Sequence, residues 1–392
     1  MDATTNVNDE LFDGGPPLRL ERSLGLVKPG QPLVAKRALL AVLIAWLPLA
    51  VLSAAQFLIS SDKSAKSFLS DFAVHARFLV AVPALIFAEA ECIPRLGKIV
   101  SHFAETGLVA GPDTARFQAT VSSTRRLLDS TTVDVVTVVL AYVVVAALAL
   151  YFSTDAFPQW HRRESTNVMP LSPAGWWHAL VSLPLLLILF FGWLWRLALW
   201  ARFLFLISLF DLHLIPGHPD RVGGLKFVSS SLRGFRLISF ALGAIVAGSV
   251  ANSQIHHGKQ LLDFKSLVIG LLIFLLVLFA GPLTIFLKKL RESKRRGVFE
   301  YGALAGAVGT QFEAKWLRKR SIDGTSLEVQ DFSATTDLYS VTANVYAMRE
   351  VPFSVRDLIG PIVISAMLPF LPLALLAIPL KVIIQGLAKL LF

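Results

Sequence analysis

Between Asp211 and Gly224 the chain gathers its densest set of chemically capable side chains: Asp211, His213, His218, Asp220 and Arg221, closed by Gly223 and Gly224. Histidine and carboxylate combine in metal sites, which makes His213, His218 and Asp220 candidate ligands. Separately, the backbone N–H groups after Pro219-Asp220, with Arg221 beside them, make a candidate nest for an anion. A structural reading competes with both. Pro216-Gly217 ends a helix, Pro219-Asp220 is a turn, and Gly223-Gly224 permits close backbone approach, so the stretch also reads as a rigid corner.

A second set lies inside one apolar run. His75 and Arg77 sit near its start and Glu89 and Glu91 near its end. Carboxylates within a membrane span are costly and usually have a task or a partner, so these four are candidates for an ion or proton pathway. The i, i+2 spacing puts Glu89 and Glu91 on different helix faces, and Arg95 and Lys98 follow as possible partners. The competing reading leaves both carboxylates at the membrane edge. A third set, Ser249 and Asn252, lies among rows of small residues: Ser239, Gly243, Ala247 and Ala251, beside Ala244 and Gly248. Such rows let helix backbones approach in lipid, and with polar members they also suit a narrow aqueous lining. No P-loop, dinucleotide fingerprint, zinc-protease motif or Gly-x-Ser-x-Gly elbow is present, so no catalytic residue and no cofactor is expected.

The elements that must hold these residues are membrane helices. Of 392 residues 55% are apolar, above the roughly 45–50% of soluble domains, and mean hydropathy is +0.64. The excess falls in blocks of about 20 residues, enough to cross a bilayer core of about 30 Å. The runs are continuous rather than alternating, which argues against a β-barrel. The single cysteine, Cys92, excludes an intrachain disulfide framework. Spans are expected at about 38–59, 72–93, 133–152, 176–197, 235–255, 266–287 and 358–380. Residues 1–37 read as a flexible cytoplasmic tail, and 94–132, 198–234 and 288–357 as a helical cytoplasmic layer. Within that layer, amphipathic patterns fall at about Leu96–Val109, Thr114–Leu128, Val298–Leu317 and Ala334–Arg349. The run from Trp176 to Leu212 passes Arg196 and Arg202 and is too long to end at the bilayer, so its tryptophans and arginines are taken as the inner edge. Prolines in the last run leave a re-entrant hairpin as an alternative to a seventh span.

Charge sets the expected threading. With the amino terminus in the cytoplasm, 28 of the 37 lysines and arginines face inward, as the positive-inside rule requires. The same bias accounts for the net charge of +10 through anionic lipid headgroups, without nucleic acid.

The run leading into "LIPGHPDRVGGL" resembles a family of uncharacterised bacterial multi-span inner-membrane proteins. "SHFAETGL", "FEYGALAGAVGTQFEAKWLR" and "VPFSVRDLIGPIVISAMLPFLPLALLAIPLKVIIQGLAKLLF" carry the same resemblance. It implies a bacterial cytoplasmic-membrane location and brings no activity or site residue. The expectation is an all-α polytopic helix bundle of six or seven spans. Its leading function is a channel or transporter for an ion or small solute, with a homo-oligomer as the expected state. The alternatives are a scaffold or signalling subunit that binds protein or anionic lipid, and a membrane enzyme using the His213–Arg221 corner.

Overall fold

The computed structural model describes residues 11–12, 14–15, 34–60, 64–109, 111–151, 158–162, 171–318 and 331–377. Among them the chain is helical, with two isolated β-bridges, Val109 to Leu212 and Arg162 to Leu171. Helix is what lipid demands, because each backbone N–H must find its acceptor within its own segment. Seven helices are long and apolar enough to cross a bilayer: Val34–Ile59, Phe72–Glu105, Thr131–Tyr151, Pro173–Ser208, Lys226–His257, Leu261–Leu317 and Val355–Ala374. These are the first to seventh spans, the architecture of a multi-pass membrane protein.

Connections gather at the two ends of the bundle. At one end the His213 N–H donates to the Leu108 carbonyl at 3.0 Å, Pro216 packs on Gly297, and the Arg349 N–H donates to the Arg221 carbonyl at 2.7 Å. Lys226 is ion-paired with Asp357 there. At the other end the Trp160 indole donates to Asp71 at 3.0 Å, the Trp46 indole to His75 at 2.9 Å, and Ser64 to the Ser53 carbonyl at 3.1 Å. His256 lies 3.0 Å from the Ser70 carbonyl. Alternate connections therefore share an end, as seven antiparallel spans require.

Several boundaries differ from the sequence reading. The pattern at Leu96–Val109 is largely the end of the second span, which runs unbroken to Glu105. Thr114–Leu128 forms its own helix, entered through Gly111–Asp113. The sixth span does not stop near residue 287. It continues to Leu317 for 57 residues, about 85 Å at 1.5 Å per residue, so the expected separate helix at Val298–Leu317 is its extension. The helix Asp331–Tyr346 packs back along that extension. Phe332 lies edge-on to Phe312 at 5.0 Å, and Tyr346 and Tyr339 lie over Gly302 and Gly309. Residues 1–37 are not all tail: Leu11 and Phe12 are fully buried, and Phe12 meets the Trp200 ring at 5.8 Å. Residues 1–10, 13 and 16–33 of the tail and the closing segment with Lys381 and Lys389 lie outside the described residues.

Prolines write irregularities into the spans at matching places. A proline has no N–H and its ring collides with the carbonyl four residues back. Before Pro83 the second span widens into a π turn over Ala76–Ala81, and before Pro184 the fourth does so over His178–Ser182. In both, the residue preceding proline donates five residues back, Val82 to Arg77 and Leu183 to His178. The sixth span narrows to a 3₁₀ turn over Gly281–Phe286 around Pro282.

Candidate functional site

The interface of the first, second and fourth spans holds two buried polar clusters. One centres on Glu89, whose side chain is 3% exposed. Arg37 from the first span donates to Glu89 at 2.7 Å, and Arg196 from the fourth approaches it at 3.4 Å. Arg196 is 1% exposed, lies over the Trp193 ring at 5.2 Å, and donates to the Gly14 carbonyl at 2.9 Å. The Trp193 indole in turn donates to the Leu85 carbonyl at 3.0 Å. Arginines of the first and fourth spans thus meet on one carboxylate of the second, and Arg196 ties Gly14 to the same cluster. Charges this deep persist only when paired and hydrogen-bonded.

The other cluster is built around the π turns. Trp160 stacks on His161 at 3.7 Å, His161 lies 4.7 Å from His178, and Phe78 meets His178 edge-on at 5.6 Å. Burial, with the Arg77 guanidinium nearby, lowers the His161 imidazole to about 3, so it is neutral at any physiological pH. His75 has partners at both ring nitrogens. Its Nδ1 accepts from Trp46 and its Nε2 lies 3.2 Å from the Leu69 carbonyl. Along the second span Arg77 and Glu89 stand about 18 Å apart, with the buried Phe78 and Leu85 between them.

Glu91 lies on another face, as the i, i+2 spacing predicts. It accepts from Arg236 of the fifth span at 2.8 Å and has Arg95 at 3.8 Å. The fifth span itself is packed rather than open. A Cβ at Gly243 would overlap the Ala366 carbonyl of the seventh span, and one at Gly248 would lie 3.0 Å from the Phe72 carbonyl of the second. Ser249 donates to its own helix at the Ile245 carbonyl, 3.0 Å away. The Asn252 carbonyl oxygen is buried without a hydrogen-bond partner among the described residues. Helix contact therefore occupies the face of the fifth span where Gly243 and Gly248 stand.

The Asp211–Gly224 corner fills its own nest. Asp220 Oδ1 accepts from the N–H groups of Val222 at 2.8 Å and Gly224 at 3.2 Å, and Oδ2 accepts from Lys226 N–H at 3.1 Å. His218 Nδ1 lies 2.8 Å from the same carboxylate. Arg221, Gly223 and Gly224 take positive φ angles of 59°, 66° and 96°, which turns successive N–H groups toward Asp220. The donors expected to hold an external anion are already satisfied. Asp211 and His213 are exposed and alternate with the buried Leu212 and Leu214. Among the described residues no three histidine, cysteine or carboxylate side chains gather as a ligand set.

Partial burial works to raise the Asp220 carboxyl, but the N–H groups of Val222, Lys226 and Gly224 and the His218 ring outweigh it and hold it below its ordinary value. A carboxylate with a lowered folded value stabilises fully above its ordinary value, and that contribution is lost as pH falls through the folded one. Asp220→Ala should cost about 1–3 kcal/mol by leaving backbone donors unpaired. Thermal unfolding in detergent should show the full difference from wild type at neutral pH and a vanishing one in strong acid. A pH-independent difference would remove the carboxylate from the account.

The sequence reading used Arg196 as a membrane-edge marker and Arg37 as the basic end of a tail, and so missed their shared partner. The available signal was Arg196 itself, about 24 residues inside an apolar helix. His161 and His178 carried no distinguishing pattern. No protein-family profile, no curated protein and no solved structure matches the chain.

Proposed function

We propose that the chain is a channel or transporter for an ion or small solute, with its pathway in the interface of the first, second and fourth spans. The observation that carries this is Glu89, buried between arginines of two other spans. An ionisable group held inside a bundle is expensive and marks a pathway by default. The matching π turns at Ala76–Ala81 and His178–Ser182 add to the reading, since π turns concentrate at functional sites. The chain sits in this proposal in a bacterial cytoplasmic membrane with its amino terminus inside, on the strength of the charge bias.

The test is flux of protons, inorganic ions and small solutes into proteoliposomes. Glu89→Gln, confirmed folded by size exclusion, should lower flux by about tenfold or more, equivalent to about 1.4 kcal/mol of lost ion stabilisation. Asn252→Leu should leave it near wild type. Folded wild-type protein with no flux across the panel would sink the reading.

One observation favours the scaffold alternative. The sixth span is about 85 Å long against a bilayer core of about 30 Å, and its projecting part carries the exposed Phe299 and Leu304. A tight protein partner retained without any flux would shift the assignment there.

A further inference from the structure

The second and fifth spans leave a cleft of about 670 Å³ open to the side of the bundle. Its walls are apolar, formed by Leu79, Val80, Ala84 and Phe87 of the second span with Leu237 and Phe240 of the fifth. Leu79, Val80 and Phe87 are exposed, so the cleft faces what surrounds the protein. In a bilayer that is the acyl region, and an apolar gap of this size has to be filled by hydrocarbon rather than water.

One end of the cleft is charged. Arg236 and Glu91 close it, Arg236 donating from Nε at 2.8 Å. Binding through Nε fixes the guanidinium plane and leaves the side chain 57% exposed, and its terminal nitrogens make no hydrogen bond among the described residues. Arg95 lies on the other side of Glu91 at 3.8 Å and is 35% exposed. Two guanidinium groups against one carboxylate leave this end net positive. From Leu79 to Glu91 the wall runs about 18 Å, close to one leaflet of a core about 30 Å thick. A charged end with a free planar fork, above an apolar wall one leaflet long, matches a phospholipid in both size and charge.

We propose that this cleft binds one anionic phospholipid, its phosphate on the Arg236 fork beside Arg95 and an acyl chain along the Val80–Phe87 wall. Arg236 suits the task because a planar guanidinium meets phosphate through two parallel hydrogen bonds. Glu91 is a positioning residue that holds the fork toward the headgroup. The site is separate from the Glu89 interface, so it stands or falls independently of the transport reading.

The test is lipid occupancy of delipidated, purified protein by native mass spectrometry, with long-chain phosphatidylglycerol and phosphatidylcholine as probes. Wild type should retain one phosphatidylglycerol in clear preference to phosphatidylcholine. Arg236→Gln should lower that occupancy about fivefold, the effect of one basic residue near an anionic headgroup, and Arg236→Lys should lower it less. Ala90→Trp, at an exposed lining position, should block the cleft and release the lipid without entering the core. Both positions face outward, so size exclusion should show folded protein in every case. Equal occupancy in wild type, Arg236→Gln and Ala90→Trp would overturn the proposal. So would binding that depends on Arg236 but survives Ala90→Trp and is matched by soluble glycerol phosphate, which would indicate an anion site without a lipid.

Discussion

Arg196→Met should lower stability in detergent by about 3–5 kcal/mol, the range for removing one arm of a buried ion network. The cost does not come from the lost attraction alone. Glu89 would keep a carboxylate at 3% exposure with only Arg37 beside it, and the Gly14 carbonyl would lose its donor. The comparison that makes the number meaningful is Arg291→Met. That arginine pairs with Glu350 at 2.9 Å, a geometry as good as any in the core, but it is 64% exposed. An exposed pair is worth at most about 1 kcal/mol, so the two substitutions should separate cleanly in a thermal scan. A second readout follows from the Gly14 contact: limited proteolysis near residue 15 should accelerate in Arg196→Met and not in Arg291→Met. The triple change Arg37→Leu, Glu89→Leu and Arg196→Met should recover much of the loss, because no charge is then left buried. An effect below about 1 kcal/mol for Arg196→Met would mean that water reaches Glu89 and that the pair behaves as an exposed one.

What the sequence made legible was whatever one segment decides for itself. An apolar run of about 20 residues needs no partner to be a span, and seven helices are long and apolar enough to be one. Thr114–Leu128 is found at its predicted bounds because Gly111-Pro112 breaks the chain just before it. Continuity was harder. The basic run Lys288–Arg296 looked like a connection, yet helix geometry is indifferent to whether its side chains are charged. The sixth span therefore passes through it to Leu317. The site was legible only as a residue. Glu89 stood out by its cost in lipid, but its partners lie 52 positions before and 107 after it, and no local pattern links three spans. The corner shows the same limit from the other side. Glycines after Pro219-Asp220 suggested a nest for an external anion, while the acceptor the backbone meets, the chain's own Asp220 carboxylate, is a matter of rotamer and φ at Arg221. Small residues in the fifth span likewise fit a pore lining and a packing seam equally well until the neighbour is known.

That last ambiguity yields the other large expected effect. Gly243→Ala should destabilise by about 1–3 kcal/mol and Gly243→Val by more, since the added carbon meets backbone and not a yielding side chain. The Ala366 carbonyl carbon and Cα would lie 2.8 Å and 3.0 Å from a Cβ at 243, and neither can turn aside without moving the seventh span. Gly306→Ala is the matched control. It lies in the projecting part of the sixth span with no atom within 4 Å of its would-be Cβ, so alanine should stabilise there by about 0.5–1 kcal/mol through the helix preference alone. Opposite signs for one methyl group at two helical glycines would be read directly as shifts in melting temperature in detergent. Cysteines introduced at Ala247 and Phe370, buried members of one apolar cluster of the fifth and seventh spans, should cross-link when position 243 is glycine and less so in Gly243→Val. If Gly243→Val left both melting temperature and cross-linking unchanged, the fifth and seventh spans would not be in backbone contact. The face of Gly243 would then be free to line a pathway after all, and the reason for moving transport to the Glu89 interface would be gone.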